Sequence, residues 1–242
     1  MILAIDAGNT RVKWGCHHQG AWLETGVVAH SDVNQLAEKW HPFPSPDRIM
    51  ISNVAGEAMQ DSLAKILGKF SAQPIWVKPE RERAGIKNLY ADPARLGSDR
   101  WCALIAARQA EQGPILVANA GTAVTVDALT AKNEFIGGLI VPGLRLMLQS
   151  LTTGTAHAHA NHGEFNVFPT NTLDAIYSGA IQAALGSIER MAAALAAHEK
   201  RPVQCIISGG AASLLLPHLS VPVREVKHLV LQGLIALAEQ TR

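Results

Sequence analysis

Ile2-Leu3-Ala4-Ile5-Asp6-Ala7-Gly8-Asn9-Thr10-Arg11-Val12-Lys13-Trp14 is a continuous apolar run, then a polar turn holding one glycine, then a run in which Val12 and Trp14 alternate with Arg11 and Lys13. That pattern predicts a β-hairpin with its tip at Gly8-Asn9. The same pattern returns halfway along. Pro114-Ile115-Leu116-Val117-Ala118 leads into Asn119-Ala120-Gly121-Thr122-Ala123 and then into a strand from Val124 to Leu129. The second Ala-Gly turn stands 113 positions after the first, counting Ala7 to Ala120. A repeat of that period is too long for a solenoid. It predicts an α/β protein of two related halves, each opening with a hairpin. With the boundary near Gln112-Gly113-Pro114, the halves are residues 1–113 and 114–242.

Working outward, Ala21 to Val28 reads as a third strand, and Ser31-Asp32 starts a helix through Leu36, Ala37 and Trp40 that ends at Pro42, Pro44 and Pro46. Ile49-Met50-Ile51 is a short buried strand, and its continuation leads into a helix carrying Leu63, Ile66 and Leu67. Gly97-Ser98 opens a helix with Trp101, Leu104 and Ile105 on its apolar positions. In the second half, Glu134 to Val141 is a strand ending at Pro142-Gly143. A long alanine-rich helix is capped by Asn171, with Asp174 near its positive end, and runs to about Lys200. Val203 to Ile207 is strand-like, Ser208-Gly209-Gly210 turns into a helix, and an amphipathic helix covers Lys227 to Glu239.

Composition limits the partners. Of 242 residues, 48% are apolar and 5% aromatic, and 21 Lys and Arg face 20 Asp and Glu for a formal charge of +1. Without a basic patch or an aromatic surface, the chain lacks the footprint of a nucleic-acid binder. No run approaches the ~18 apolar residues of a membrane span, and Met1 leads straight into a strand without a basic leader. Cys16, Cys102 and Cys205 are odd in number and scattered, which fits a reducing compartment. The expectation is a cytoplasmic protein with a small-molecule substrate and no membrane partner.

The two turns carry the first chemical signal. A glycine turn lets backbone N–H groups approach phosphate oxygens, and Asp6 beside it could hold Mg²⁺, which favours one or two carboxylates plus phosphate oxygens. A P-loop or Rossmann nucleotide site is disfavoured, because Gly68-Lys69 is followed by Phe70 with no glycine at the required offset, and no GxGxxG occurs. A second signal is Asp99 with Arg100 in a helix first turn. There a carboxylate can take the proton of an attacking hydroxyl and a guanidinium can bind polar or anionic groups, although Asp also stabilises helix starts in its own right. His157, His159 and His162, with Glu164 nearby, form a third cluster. No cysteine ligand accompanies them, and they read as a solvated loop rather than a zinc site.

Taken in order, Asp6-x-Gly8-Asn9-Thr10, Tyr90-x-x-Pro93 with Leu96-Gly97-x-Asp99-Arg100, Gly121-Thr122-Ala123-x-Thr125-x-Asp127, Gly137-Gly138-x-Ile140-x-Pro142-Gly143, and Asn171-Thr172 with Gly179 resemble the motifs of type III pantothenate kinases, the family that includes Bvg accessory factor proteins. The resemblance implies two ribonuclease-H-like domains of the actin, Hsp70 and sugar kinase superfamily with an ATP cleft between them, a homodimer, and phosphorylation of pantothenate to 4′-phosphopantothenate. It implies ATP with Mg²⁺ and a monovalent cation, K⁺ or NH₄⁺. Asp6 would organise Mg²⁺ and the phosphates, with Gly8, Asn9 and Thr10 as the first phosphate loop and Gly121 and Thr122 as the second. Ser208, Gly209 and Gly210 would form the adenosine-side loop. Asp99 would be the general base, while Tyr90, Gly97, Ser98, Arg100 and Thr155 would line the pantothenate pocket. Asp127 resembles the ligand of the monovalent cation, and Thr172 a threonine reaching the neighbouring subunit's site.

One departure stands out. Asn119 occupies the head of the second loop, where many members have Asp, and this predicts weak Mg²⁺–ATP affinity. It also keeps open a non-catalytic accessory protein of the same fold. A superfamily kinase for another small hydroxyl acceptor is the other alternative, since only the Tyr90 to Arg100 segment bears on the acceptor.

Overall fold

The computed structural model describes residues 1–152 and 163–240. They form two compact units, one made of Met1–Ala110 with the helix that follows His228, the other of Glu111–Lys227.

The first unit is built on a five-stranded sheet of β1 (Ile2–Ala7), β2 (Arg11–His18), β3 (Ala21–Ala29), β4 (Arg48–Asn53) and β5 (Pro74–Trp76) in the order β3-β2-β1-β4-β5. β1, β2 and β3 are an antiparallel meander, and β4 and β5 run parallel to β1. The expected hairpin is there, with Gly8 N–H donating to Arg11 O at 3.1 Å across its tip. Leu3, Ile5, Val12, Trp14, Ile49 and Ile51 alternate onto one face of the sheet strands and pack with Leu36, Trp40, Leu63 and Leu67. The helix expected from Ser31 begins instead as a 3₁₀ turn over His30–Gln35 and becomes α1 only at Leu36–Lys39. α2 is Glu57–Leu67, and a small hairpin of β6 (Glu82–Arg83) and β7 (Ile86–Asn88) precedes α3 (Ser98–Ala110).

The second unit repeats this plan. β8 (Ile115–Ala120), β9 (Ala123–Leu129) and β10 (Glu134–Pro142) are again an antiparallel meander, and β11 (Gln204–Ser208) and β12 (Val223–Glu225) again run parallel to the first strand. Their order β12-β11-β8-β9-β10 is the first unit's order read from the other edge. Between meander and parallel strands lie α4 (Leu144–Thr152) and the 28-residue α5 (Thr172–Glu199). α6 (Ala212–Leu215) follows β11. Asn171 caps α5 as expected, its Oδ1 accepting the Asp174 N–H at 3.0 Å. The apolar side of α5, with Ile181, Leu185 and Ile188, covers Leu116, Val126 and Ile207 of the sheet.

The last helix, α7 (Leu229–Gln240), packs with the first unit, against α3, β1 and β4. The observed units thus differ from the expected halves, of which the second extended to residue 242. Gly233 makes the contact possible, because a side chain there would overlap the Cys102 backbone. With α7 on it, α3 is buried continuously from Arg100 to Arg108, instead of along a single stripe. Among the described residues no helix is long and apolar enough to cross a membrane.

Candidate active site

In the first unit, β1 and β4 run parallel in register and end level, so that Asp6 lies beside Ser52 and Ala7 beside Asn53. Beyond them Val54 N–H donates to Ala7 O at 2.9 Å, and the turn at Gly8 is held by His30 Nε2, which donates to Gly8 O at 2.8 Å. Carboxyl ends of parallel strands are where α/β sheets place ligands. Asp6 is 5% exposed, and its Oδ1 is buried without a hydrogen-bond partner. Burial pushes its pKa up to about 7, Lys13 pulls it down, and the Asp99 carboxylate pushes it up again. An unsatisfied carboxylate oxygen of this kind is costly for a folded chain, and a hard cation is the partner that suits it. The donor set therefore fits Mg²⁺.

α3 brings the second carboxylate. Its first turn closes through Trp101 N–H donating to Gly97 O at 3.0 Å. Asp99 is half-buried, and its Oδ1 accepts the Arg100 N–H at 2.8 Å. A side chain on Gly97 would meet that carboxylate oxygen at 2.5 Å, so the Asp99 side chain would have to turn aside. Arg100 is buried and its Nη1 donates to the Tyr90 hydroxyl at 2.9 Å. The Ser98 hydroxyl is engaged with Ser52 Oγ at 2.9 Å and reaches Asn53 O at 3.5 Å. Ser52 is fully buried, and by this bond it ties the strand beside Asp6 to the helix that carries Asp99. Sequence reasoning passed over Ser52. The available signal was positional: it ends an apolar strand, as Asp6 does.

In the second unit, Asn119 and Ala120 end β8, with Asn119 opposite Thr125 on one side and Ser208 on the other. The loop then turns at Gly121, whose N–H donates to Ala123 O at 2.9 Å, and Gly121 and Thr122 are exposed. Two glycines hold it in place. Gly209, at φ +103°, lies so close that a side chain would overlap the Ala120 carbonyl, to which Ala211 N–H donates at 3.0 Å. Gly143 donates its N–H to Thr122 O at 2.9 Å, and a side chain there would overlap the Gly121 and Thr122 carbonyls. Gly143→Ala should therefore displace this loop and cost on the order of 1–3 kcal/mol of stability. Gly186→Ala, which meets nothing within 4 Å in mid-helix, is the control and should leave stability unchanged or raise it slightly. Equal thermal stability in the two variants would show that Gly143 does not hold the loop.

Asp127, in mid-β9, is 1% exposed between Val117 and Gly138 of the flanking strands. Thr172 begins α5 and lines an apolar groove of about 420 Å³ with Met147, Leu151, Ala175 and Ile176. Thr155 and the histidines 157, 159 and 162 lie outside the described residues. Among the described residues no group of three or more metal-binding side chains occurs.

Two copies of one sheet plan, each with a polar glycine turn after its first strand, define an α/β protein of the sugar kinase and actin-like ATPase fold. A glucokinase from an Antarctic psychrotroph has this fold, with a TM-score of 0.51 at 13% identity over 98% of each chain. So does a conserved Campylobacter jejuni protein assigned to the Baf family, with a TM-score of 0.64 at 18% identity over 98% of each chain. The family model for type III pantothenate kinase matches residues 2–212. A type III pantothenate kinase from Nitrosospira multiformis is 47% identical over 241 residues, 100% of this chain and 92% of the relative. The chain belongs to the type III pantothenate kinase family.

Proposed function

We infer that this chain transfers the γ-phosphoryl group of ATP to the primary hydroxyl of pantothenate, in coenzyme A biosynthesis, as its family does. The observation that carries the chemistry is the pairing of Asp6 and Asp99 in one unit: a buried, unsatisfied carboxylate suited to a cation, and a half-buried one at a helix start. Asp99 takes the proton of the attacking hydroxyl, and Arg100 and Tyr90 orient the acceptor with Gly97 and Ser98 alongside. Because Ser98's hydroxyl is held by Ser52, its part in the pocket is played by its backbone. Gly8, Asn9 and Thr10 bind phosphate, as do Gly121 and Thr122, and Ser208, Gly209 and Gly210 sit on the nucleotide side. Phosphoryl transfer asks mainly for positioning and charge neutralisation. Asp6 would hold Mg²⁺, which when bound neutralises phosphate charge. Asp127 would hold K⁺ or NH₄⁺, a reading supported by a carboxylate buried in mid-sheet.

The partner of a homodimer would cover the groove at α4 and α5, so that Thr172 reaches its site; the exposure of Leu151, Val167 and Phe168 supports this. Sedimentation that finds only a 25.8 kDa species at assay concentration would remove the dimer. Three buried, unpaired thiols agree with a cytoplasmic setting. The functional test is ADP release with pantothenate, run in K⁺ and then in Na⁺. Turnover is expected in K⁺ with a marked loss in Na⁺. Its absence under both, with intact fold, would favour the accessory reading that Asn119 left open.

A further inference from the structure

Tyr90 stands in an irregular stretch between β7 and the short 3₁₀ turn Pro93–Arg95, where neither sheet nor helix fixes its backbone. What does fix it is the hairpin before it. β6 reverses into β7 through Ala84 and Gly85 at φ 55° and 73°, the left-handed pair of a tight hairpin turn. At the open end of this hairpin Asn88 N–H donates to Arg81 O at 2.9 Å. Arg81 Nη1 in turn donates to two carbonyls, Asn88 O and Tyr90 O, each at 3.1 Å. The Asn88 side chain, fully buried, accepts the Tyr90 N–H on Oδ1 at 3.1 Å and directs Nδ2 to Pro93 O at 3.4 Å. Both backbone polar groups of Tyr90 are thus held, and its hydroxyl is left to receive Arg100 Nη1.

Resting on the reading of Tyr90 and Arg100 as acceptor-binding groups, we propose that Arg81 and Asn88 are positioning residues that set the affinity for pantothenate by clasping the backbone of Tyr90. Neither touches the acceptor. Each acts by removing the freedom of a loop that would otherwise be ordered at the cost of binding energy. Arg81 is the more informative of the two, because it lies at the surface and its loss leaves no hole in the core.

The test is steady-state kinetics on Arg81→Met, Tyr90→Phe, their double variant, and Asn88→Ala where it folds. Arg81→Met keeps the aliphatic stem and removes the donors. It should raise the KM for pantothenate about tenfold while kcat and the KM for ATP stay within about twofold. Since Arg81 acts through Tyr90, its effect in the Tyr90→Phe background should be much smaller. An unchanged pantothenate KM in Arg81→Met overturns the proposal if Tyr90→Phe does raise it. So does an equal effect of Arg81→Met in both backgrounds, which marks a role independent of Tyr90. If Tyr90→Phe leaves the pantothenate KM unchanged, the acceptor pocket itself has been misplaced and the proposal falls with it.

Discussion

Asp99→Asn should lower kcat by about 10²–10⁴-fold, the usual contribution of a general base, while the KM for pantothenate stays within about threefold. The geometry makes this a clean substitution. Asn keeps the shape of Asp and one oxygen acceptor, so the Arg100 N–H, at 2.8 Å from Oδ1, retains its partner and the first turn of α3 its form. Gly97 continues to leave room for the group. What is lost is the negative charge and, with it, the capacity to take a proton. Steady-state rates at saturating ATP, with pantothenate varied, measure both constants. Turnover near that of the parent chain would take proton removal away from Asp99 and leave it a helix-start residue.

Asp6→Asn should abolish most of the activity and, in the absence of metal, make the protein more stable. The two effects have one cause. Asp6 is buried with an unsatisfied oxygen, and burial lifts its pKa from 3.8 to about 7 despite Lys13. Below about pH 4 both folded and unfolded chains hold the proton, and the group costs nothing. Between about pH 4 and pH 7 the unfolded chain gives up the proton while the folded one keeps it, so stability falls as pH rises through that window. Above it the penalty is complete, on the order of a few kcal/mol. Asn carries no such penalty. Thermal unfolding of metal-free protein should give a higher Tm for Asp6→Asn at pH 8 and a difference that shrinks toward pH 4. Mg²⁺ with ATP should stabilise the parent chain and not the variant. A variant less stable than the parent at pH 8 would mean that the Asp6 carboxylate is satisfied in the folded chain.

How much of this was legible in the sequence follows from how local each signal is. The turns at Gly8 and Gly121 and the Asn171 cap are set within a few residues, and they stand where the local chemistry predicts. So does the equivalence of the halves, which the sheet orders extend from one turn to five strands. β5, β6, β7 and β12 span two or three residues each and are too short for alternation to register. The 3₁₀ start at His30–Gln35 escaped because Ser31-Asp32 marks the start of a helix without specifying its type. The clasp of Arg81 and Asn88 depends on a hairpin that no periodicity announced. Ser52 belongs to the site only through the register of β1 with β4, a relation between residues 46 positions apart. Ser98 shows the same limit from the other side: its place beside Asp99 was legible, but the direction of its hydroxyl was not.

The packing of α7 also has a consequence for the order in which the molecule can be made. During synthesis the chain emerges from its N-terminal side, and domains form as their residues become available. The second unit, Glu111–Lys227, is contiguous and can complete itself as soon as β12 has emerged. The first unit cannot. Its sheet is available early, yet α3 lacks the helix that covers it until Leu229–Gln240 arrives, after the whole of the second unit. The helix that carries Asp99 is thus among the last parts of the molecule to be buried, and a nascent chain stopped short of α7 would hold both glycine turns while Asp99 sat on a helix still uncovered.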